Sequence, residues 1–318
     1  MEFPPLRLAI LCLLAAVASG QEEPVGDLPA PRYPVLVDSV LEAQVELHRR
    51  GFSCGPIDGL FGPQTAAALR AWQRSTGISE TGWLEAATRD RLRLTAPALG
   101  DHLVASADVE ELQPVPTTWL GRAERSALGY ATTLEAIAER YRSGQRHLRR
   151  LNPEVDWDAL QPGMRVIVPD VGPVTIARPA VRLRIRLAPR ELVVLNVDGR
   201  TVARFPVSIA RRVEKRPVGE LRVTAVIPDP NFTFDPELFP ESVEGRELGR
   251  RLVLPPGPNN PVGLAWIGLD RPGYGIHGTP EPENIGRTES HGCFRLANWD
   301  AVTLLDLAWV GMPVAVEL

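Results

Sequence analysis

The chain is poor in cysteine and histidine, with three of one and five of the other in 318 residues, so any stretch that gathers them stands out. It has no basic tract. A net charge of −4, spread over an ordinary charged fraction of 23%, gives no footing for nucleic-acid binding. Nor does it carry an apolar run long enough to cross a bilayer. The one candidate, Leu8 to Ala18, is too short to span; preceded by Arg7 and followed by small residues, it reads as a signal peptide (residues 1–20). Cleavage after Ala18 or Gly20 would remove Cys12 and leave Cys54 and Cys293. The mature chain is therefore expected to be secreted, into a periplasm. Proline is what the chain has in excess, at 31 residues, and it clusters between the units described below.

The scarce residues converge between Ile276 and Arg295, in IHGTPEPENIGRTESHGCFR. His277, His291 and Cys293 lie within one short segment, which points to nucleophilic catalysis. A thiol of ordinary pKa, about 8.5, needs a neighbouring imidazole to become thiolate at neutral pH. The separation of His277 from Cys293, 293 − 277 = 16 residues, suits a strand, a loop and a return. Gly292 lets the backbone approach a substrate, and the N–H groups around Gly292 and Cys293 are placed to form an oxyanion hole. Two histidines and a cysteine are also zinc-type ligands, but no fourth ligand pair lies nearby and the glycine spacing suits a nucleophile turn better. No metal and no organic cofactor are expected.

HGT…SHGCFR closely resembles the motif of the YkuD-type L,D-transpeptidases. The resemblance implies Cys293 as nucleophile and His277 as general base, its ring oriented by the carbonyl of Gly278. It also implies that His291 and Gly292 shape the acyl-binding turn. Arg295, with Ser290 and Thr279 beside it, falls where substrate is held; Arg287 and Arg271 are further cations near the motif. The same family's fold, a mainly β, sandwich-like domain with one helix, is expected over residues 174–318. Within it Val181, Leu183, Ile185 and Leu187 alternate with arginines, as in a strand with one wet face. Asp198-Gly199 marks a hairpin, and RPVGELRV resembles another family element. Residues 228–261 form a long loop rich in proline and glycine, in which Phe232, Phe234 and Phe239 either close over substrate or pack the loop onto the sheet. A helix over 298–308 is expected to turn Val302, Leu305 and Trp309 inward.

Two smaller units precede this domain. After a linker (21–34), residues 35–94 show three helical stretches around GPIDGLFGPQT and resemble the type-1 peptidoglycan-binding domain. There Asp58, Gly59 and Gly62 fix a turn, and Cys54 and Trp72 are core. A connector is expected over 95–127. Residues 128–170 run helix, helix, strand and resemble a LysM carbohydrate-binding module, α+β in class, although Tyr130-Ala131-Thr132-Thr133 replaces the usual glycan-binding turn. A Cys54–Cys293 bridge would block the nucleophile, so both thiols are expected to be free.

The whole implies a cysteine-dependent transpeptidase acting on peptidoglycan stem tetrapeptides. Alternatives are a hydrolase using the same thioester, transfer to the lysine of an outer-membrane lipoprotein, or a wall-anchored scaffold without activity. No nucleic-acid partner and no transmembrane segment in the mature chain are expected.

Overall fold

The computed structural model describes residues 32–176, 179–287 and 292–318; Ser290 and His291, the signal peptide and most of the first linker lie outside them. Among the described residues no helix is long and apolar enough to cross a membrane.

The chain begins with a short strand β1 (Val35–Leu36) and helix α1 (Val40–Arg49), whose start is fixed by a reciprocal capping box between Ser39 and Glu42. Helix α2 (Pro63–Thr76) opens with proline in its first turn and closes on Gly77 at φ 74°, the left-handed value glycine adopts without strain. Helix α3 (Ala86–Arg91) and strand β2 (Arg93–Leu94), paired with β1, complete this unit. Leu47, Ile57, Leu69 and Leu92 fill its core together with Trp72 and Cys54, both buried as the sequence suggested.

The expected connector over 95–127 is structured. Strand β3 (Leu99–Leu103), helix α4 (Ser106–Glu110) and helix α5 (Trp119–Ala123) lie within it. Strand β3 pairs antiparallel with β4 (Arg165–Pro169), and between them come α6 (Thr133–Arg140) and α7 (Gln145–Leu151). The second unit is thus a β-α-α-β layer packed on Ile137, Leu148, Trp157, Val166 and Val168, with α4 and α5 inserted after its first strand. The strand escaped the sequence reading because LGDHL carries no apolar alternation: its pairing partner, far along the chain at Arg165–Pro169, makes it a strand.

The third unit is built on strands β5 (Arg182–Arg186), β6 (Glu191–Leu195), β7 (Thr201–Pro206), β8 (Gly219–Pro228), β9 (Phe232–Phe234), β10 (Leu252–Leu254), β11 (Ala265–Leu269), β12 (Gly275–His277), β13 (Phe294–Arg295) and β14 (Pro313–Glu317). Eight of these form one sheet in the order β13-β12-β11-β8-β14-β5-β6-β7. The ten-residue β8 changes partner along its length: Gly219 to Arg222 pair with β14, and Val223 to Pro228 with β11. The sheet therefore curls around a core of Leu183, Ile185, Val194, Phe205, Ile267 and Phe294. The hairpin expected at Asp198-Gly199 joins β6 to β7, with Gly199 at φ 73°.

Helix α9 (Asn298–Leu305) packs on β11, β8 and β12. Of the residues expected inward, Leu305 is partly buried against the core and the other two are not. Ala301, Leu304 and the following Leu307 are buried, whereas Val302 and Trp309 are 40% and 47% exposed. The buried positions follow the i, i+3 spacing from Ala301, and the choice between two apolar faces falls to the sheet beneath. The long loop packs elsewhere too. Strands β9 and β10 pair with each other and helix α8 (Val243–Leu248) lies between them. Phe234 stacks on Trp119 of α5 at 4.2 Å, and Phe239 stacks on Phe234 at 5.3 Å. The phenylalanines thus pack against the insert of the second unit, in a small core with Leu128, Leu252 and Leu254.

Candidate active site

Strands β12 and β13 run parallel, with Ile276 opposite Phe294 and His277 opposite Arg295. Ile276 and Phe294 are both buried in the sheet's core. Side chains alternate between faces along a strand, so His277 and Arg295 share the other face. Cys293, one residue before Phe294, falls by the same alternation on that face. The 16-residue return read from the sequence is thus closed by two short neighbouring strands, and their burial in the core fixes the register.

His277 is 5% exposed. Its Nδ1 lies 2.7 Å from the carbonyl oxygen of Gly278, which makes Nδ1 the protonated nitrogen and leaves Nε2 with a lone pair. The indole of Trp266, its register partner on β11, stacks on the ring at 5.7 Å. Burial foremost, helped by the charge of Arg295 and opposed by the Gly278 carbonyl, pushes the imidazole pKa down to about 4. At neutral pH it is an uncharged base.

Cys293 is half-buried, with Sγ 3.5 Å from the carbonyl of Gly273. Burial pushes its pKa up; a backbone hydrogen bond from Gly275 and the Arg295 charge oppose that rise. Thiol and imidazole are thus both neutral at rest, so a thiol that attacked here would give up its proton during the attack rather than beforehand. Cys54 is also a free thiol, but it is shut in the core of the first unit, where burial raises its pKa far further.

Glycine is required here for reasons the sequence did not disclose. A Cβ on Gly278 would stand 2.2 Å from Oδ1 of Asn298, and one on Gly263 (φ 62°) only 1.9 Å from it. Asn298 is fully buried at the start of α9. Its Oδ1 accepts from the Leu264 N–H at 3.2 Å, and its Nδ2 donates to the Pro258 carbonyl at 3.1 Å and to Glu139 of α6 at 3.0 Å. A Cβ on Gly275 would lie 2.6 Å from the Trp266 ring. Trp266, Asn298 and Glu139 are the supports that sequence reasoning missed. The signal for the first was present, since Trp266 interrupts an apolar strand just before the motif; Glu139 is brought in from another unit and left none.

The other predicted site residues are placed as follows. Arg295 is half-buried, and its backbone exchanges two 3.0 Å hydrogen bonds with Ser208. Thr279 is 6% exposed, with its hydroxyl accepting from the Glu281 N–H at 3.3 Å, so it is turned to its own loop. A Cβ on Gly292 would meet the Tyr274 ring at 3.9 Å, an ordinary contact. Arg271 stacks over the Tyr274 ring at 4.8 Å.

Residues 180–316 match the YkuD family, described as "L,D-transpeptidase catalytic domain". The C-terminal domain is an L,D-transpeptidase domain of this family. Residues 37–92 match a second family, described as "Putative peptidoglycan binding domain". The chain is 28% identical over 185 residues to "Putative L,D-transpeptidase YkuD" of Bacillus licheniformis, a stretch covering 58% of this chain and 93% of that one. It is 32% identical over 190 residues to "Probable L,D-transpeptidase ErfK/SrfK" of Salmonella typhimurium, covering 58% of this chain and 59% of that one. Among solved structures, L,D-transpeptidase 3 from Mycobacterium tuberculosis aligns at TM-score 0.35 and 19% identity, over 50% of this chain and 76% of that one. The transpeptidase domain makes this chain an enzyme, an acyltransferase of the L,D-transpeptidase type, joined to a peptidoglycan-binding domain.

Proposed function

We propose that the transpeptidase domain works through Cys293 and His277 on peptidoglycan stem tetrapeptides. The observation that carries this reading is the β12–β13 register, which sets the thiol, the neutral imidazole and Arg295 on one face of the sheet. The Cys293 sulfur attacks the carbonyl carbon between the third and fourth stem residues while Nε2 of His277 takes its proton. The C–N bond breaks, and the released D-alanine amine recovers that proton from His277. The stem is left as a thioester, its developing oxyanion held by N–H groups of the Gly292–Cys293 turn. The side-chain amine of a second stem then attacks the thioester carbon, gives a proton to His277 and forms a 3–3 cross-link as the thiol departs. Arg295 holds a stem carboxylate, with Ser290 as a further substrate contact, and His291 and Gly292 shape the acyl-binding turn. The proposed setting is the periplasm, with the β-α-α-β unit as a glycan-facing module.

The test is mass spectrometry of the mature protein incubated with purified disaccharide-tetrapeptide. Dimers lacking one D-alanine are expected, and Cys293→Ala should abolish them while leaving wall binding intact. Tripeptide monomers alone would replace the cross-linking step with hydrolysis, or with an acceptor such as a lipoprotein lysine. Undiminished turnover by the Cys293→Ala protein would overturn the assignment.

A further inference from the structure

A groove of about 490 Å³ lies between the C-terminal end of α2 and the outer face of β5, β6 and β7. Its rim is made by Arg74 of α2, Arg184 and Arg186 of β5, and Arg200 of the β6–β7 turn, and among the described residues no acidic one lines it. The floor is apolar: Val193 and Leu195 are 2% and 4% exposed, on the side of β6 away from the core. Thr76 and Thr201 also line it, the Thr76 hydroxyl donating to the Trp72 and Gln73 carbonyls at 3.1 Å. Three of the arginines have acidic neighbours, Arg74 with Glu80 at 2.9 Å, Arg184 with Glu317 at 3.1 Å and Arg186 with Glu191. Arg200 has no acidic partner among the described residues and is exposed. The Nε of Arg186 is buried without a hydrogen-bond acceptor.

Four guanidinium groups around a concave, apolar-floored channel suit a narrow ligand that carries several carboxylates. Guanidinium forks bind carboxylates in pairs of parallel hydrogen bonds, and Arg200, without an acidic partner among the described residues, leaves such a fork open at the rim. We infer that this groove is a second peptidoglycan contact, which holds the free carboxylates of stem peptides on a strand other than the one being processed. The inference rests on the reading that the chain works on peptidoglycan. One wall of the groove belongs to the peptidoglycan-binding domain and the other to the transpeptidase sheet, so a bound strand would touch both. A flat lipid surface would reach the rim but not the floor.

The test uses the full mature chain with Cys293→Ala, to stop turnover, sedimented with purified sacculi. Arg200→Glu should weaken binding about tenfold, and Arg200→Lys by no more than about threefold, since charge is kept and only the fork is lost. Sacculi with methyl-esterified carboxylates should bind the unsubstituted groove as weakly as native sacculi bind Arg200→Glu. Arg74→Gln gives a second probe on the other wall, with weakening in the same direction expected. Equal wall binding by Arg200→Glu and its parent would overturn the inference. So would a loss confined to vesicles of anionic phospholipid, which would assign the groove to a membrane. With Cys293 intact, Arg200→Glu should process soluble disaccharide-tetrapeptide as the parent does. If the parent itself fails on that substrate, the catalytic reading falls while the binding result stands.

Discussion

His277 and Cys293 depart from the thiolate–imidazolium pair that their residue types suggest. Both groups are pushed toward neutrality, because burial disfavours charge on either and Arg295 disfavours a second cation. Two consequences are measurable. The acid limb of kcat/KM should fall near pH 4, where the His277 base becomes protonated, rather than near its ordinary value of about 6.5. Alkylation of Cys293 by iodoacetamide should be slower at pH 7 than that of an ordinary thiol and should still be climbing above about pH 8.5. A limb at pH 6 to 7 with rapid alkylation would show that the pair is ionised at rest. His277→Ala should lower turnover by about 10² to 10⁴, the usual contribution of a positioned base. The residue types of this pair were legible in the sequence, because scarce residues gathered in one segment. Their protonation state was not, since it depends on how deeply neighbouring strands bury them.

The long loop of the transpeptidase domain shows how one element is stabilised by another. Its phenylalanines surround Trp119, and the carboxylate of Glu244 on α8 accepts the N–H groups of Trp119 and Leu120, both at 2.8 Å. Those two N–H groups begin α5 and have no acceptor within their own helix. Trp119→Ala should cost about 2–4 kcal/mol through the void left among Phe232, Phe234 and Phe239. Glu244→Ala should cost about 1 kcal/mol through the lost cap. Denaturant midpoints would check both, and an unchanged midpoint for Trp119→Ala would mean that the loop holds itself without the insert. The loop's length marked it in the sequence as an element with a task. Its partner was invisible, because α5 sits more than 100 residues earlier in a stretch without periodicity.

At the scale of the whole molecule, residues 33–318 form one unit held by buried polar links. Phe52 and Ser53 add a short stretch alongside β7, with Ser53 N–H donating to the Arg204 carbonyl at 2.9 Å, so the edge of the sheet is covered. The fully buried Arg204 guanidinium donates to Ser53 O, Gln64 Oε1 and Glu191 Oε2. Ser53 also donates to Asp300 at 2.8 Å, and Glu139 of the second unit meets Asn298 of the third. Burial raises both carboxyl groups, Glu139 and Asp300, to a pKa of about 7. Between about pH 4.5 and 7 the folded chain holds protons that the unfolded chain has released, so stability falls as pH rises through that window and levels off above it. The melting temperature should drop accordingly, and Glu139→Gln should flatten part of the slope by keeping the hydrogen bonds without the charge. A slope unaltered by Glu139→Gln would place the effect elsewhere.

The sequence by itself determined the transpeptidase motif, the curled sheet's strand alternation at Arg182–Arg186, the hairpin at Gly199 and the helices of the first unit. All of these depend on residue types at short spacing, where local sterics and apolar periodicity decide. Only the tertiary structure decided why Gly278 must be glycine, which face α9 buries, and that Leu99–Leu103 is a strand. It alone joined Glu139 to the support of the His277 strand and assembled four arginines from two domains around one groove. Each of these rests on contacts between residues far apart in sequence, and a pattern of neighbours carries no record of them.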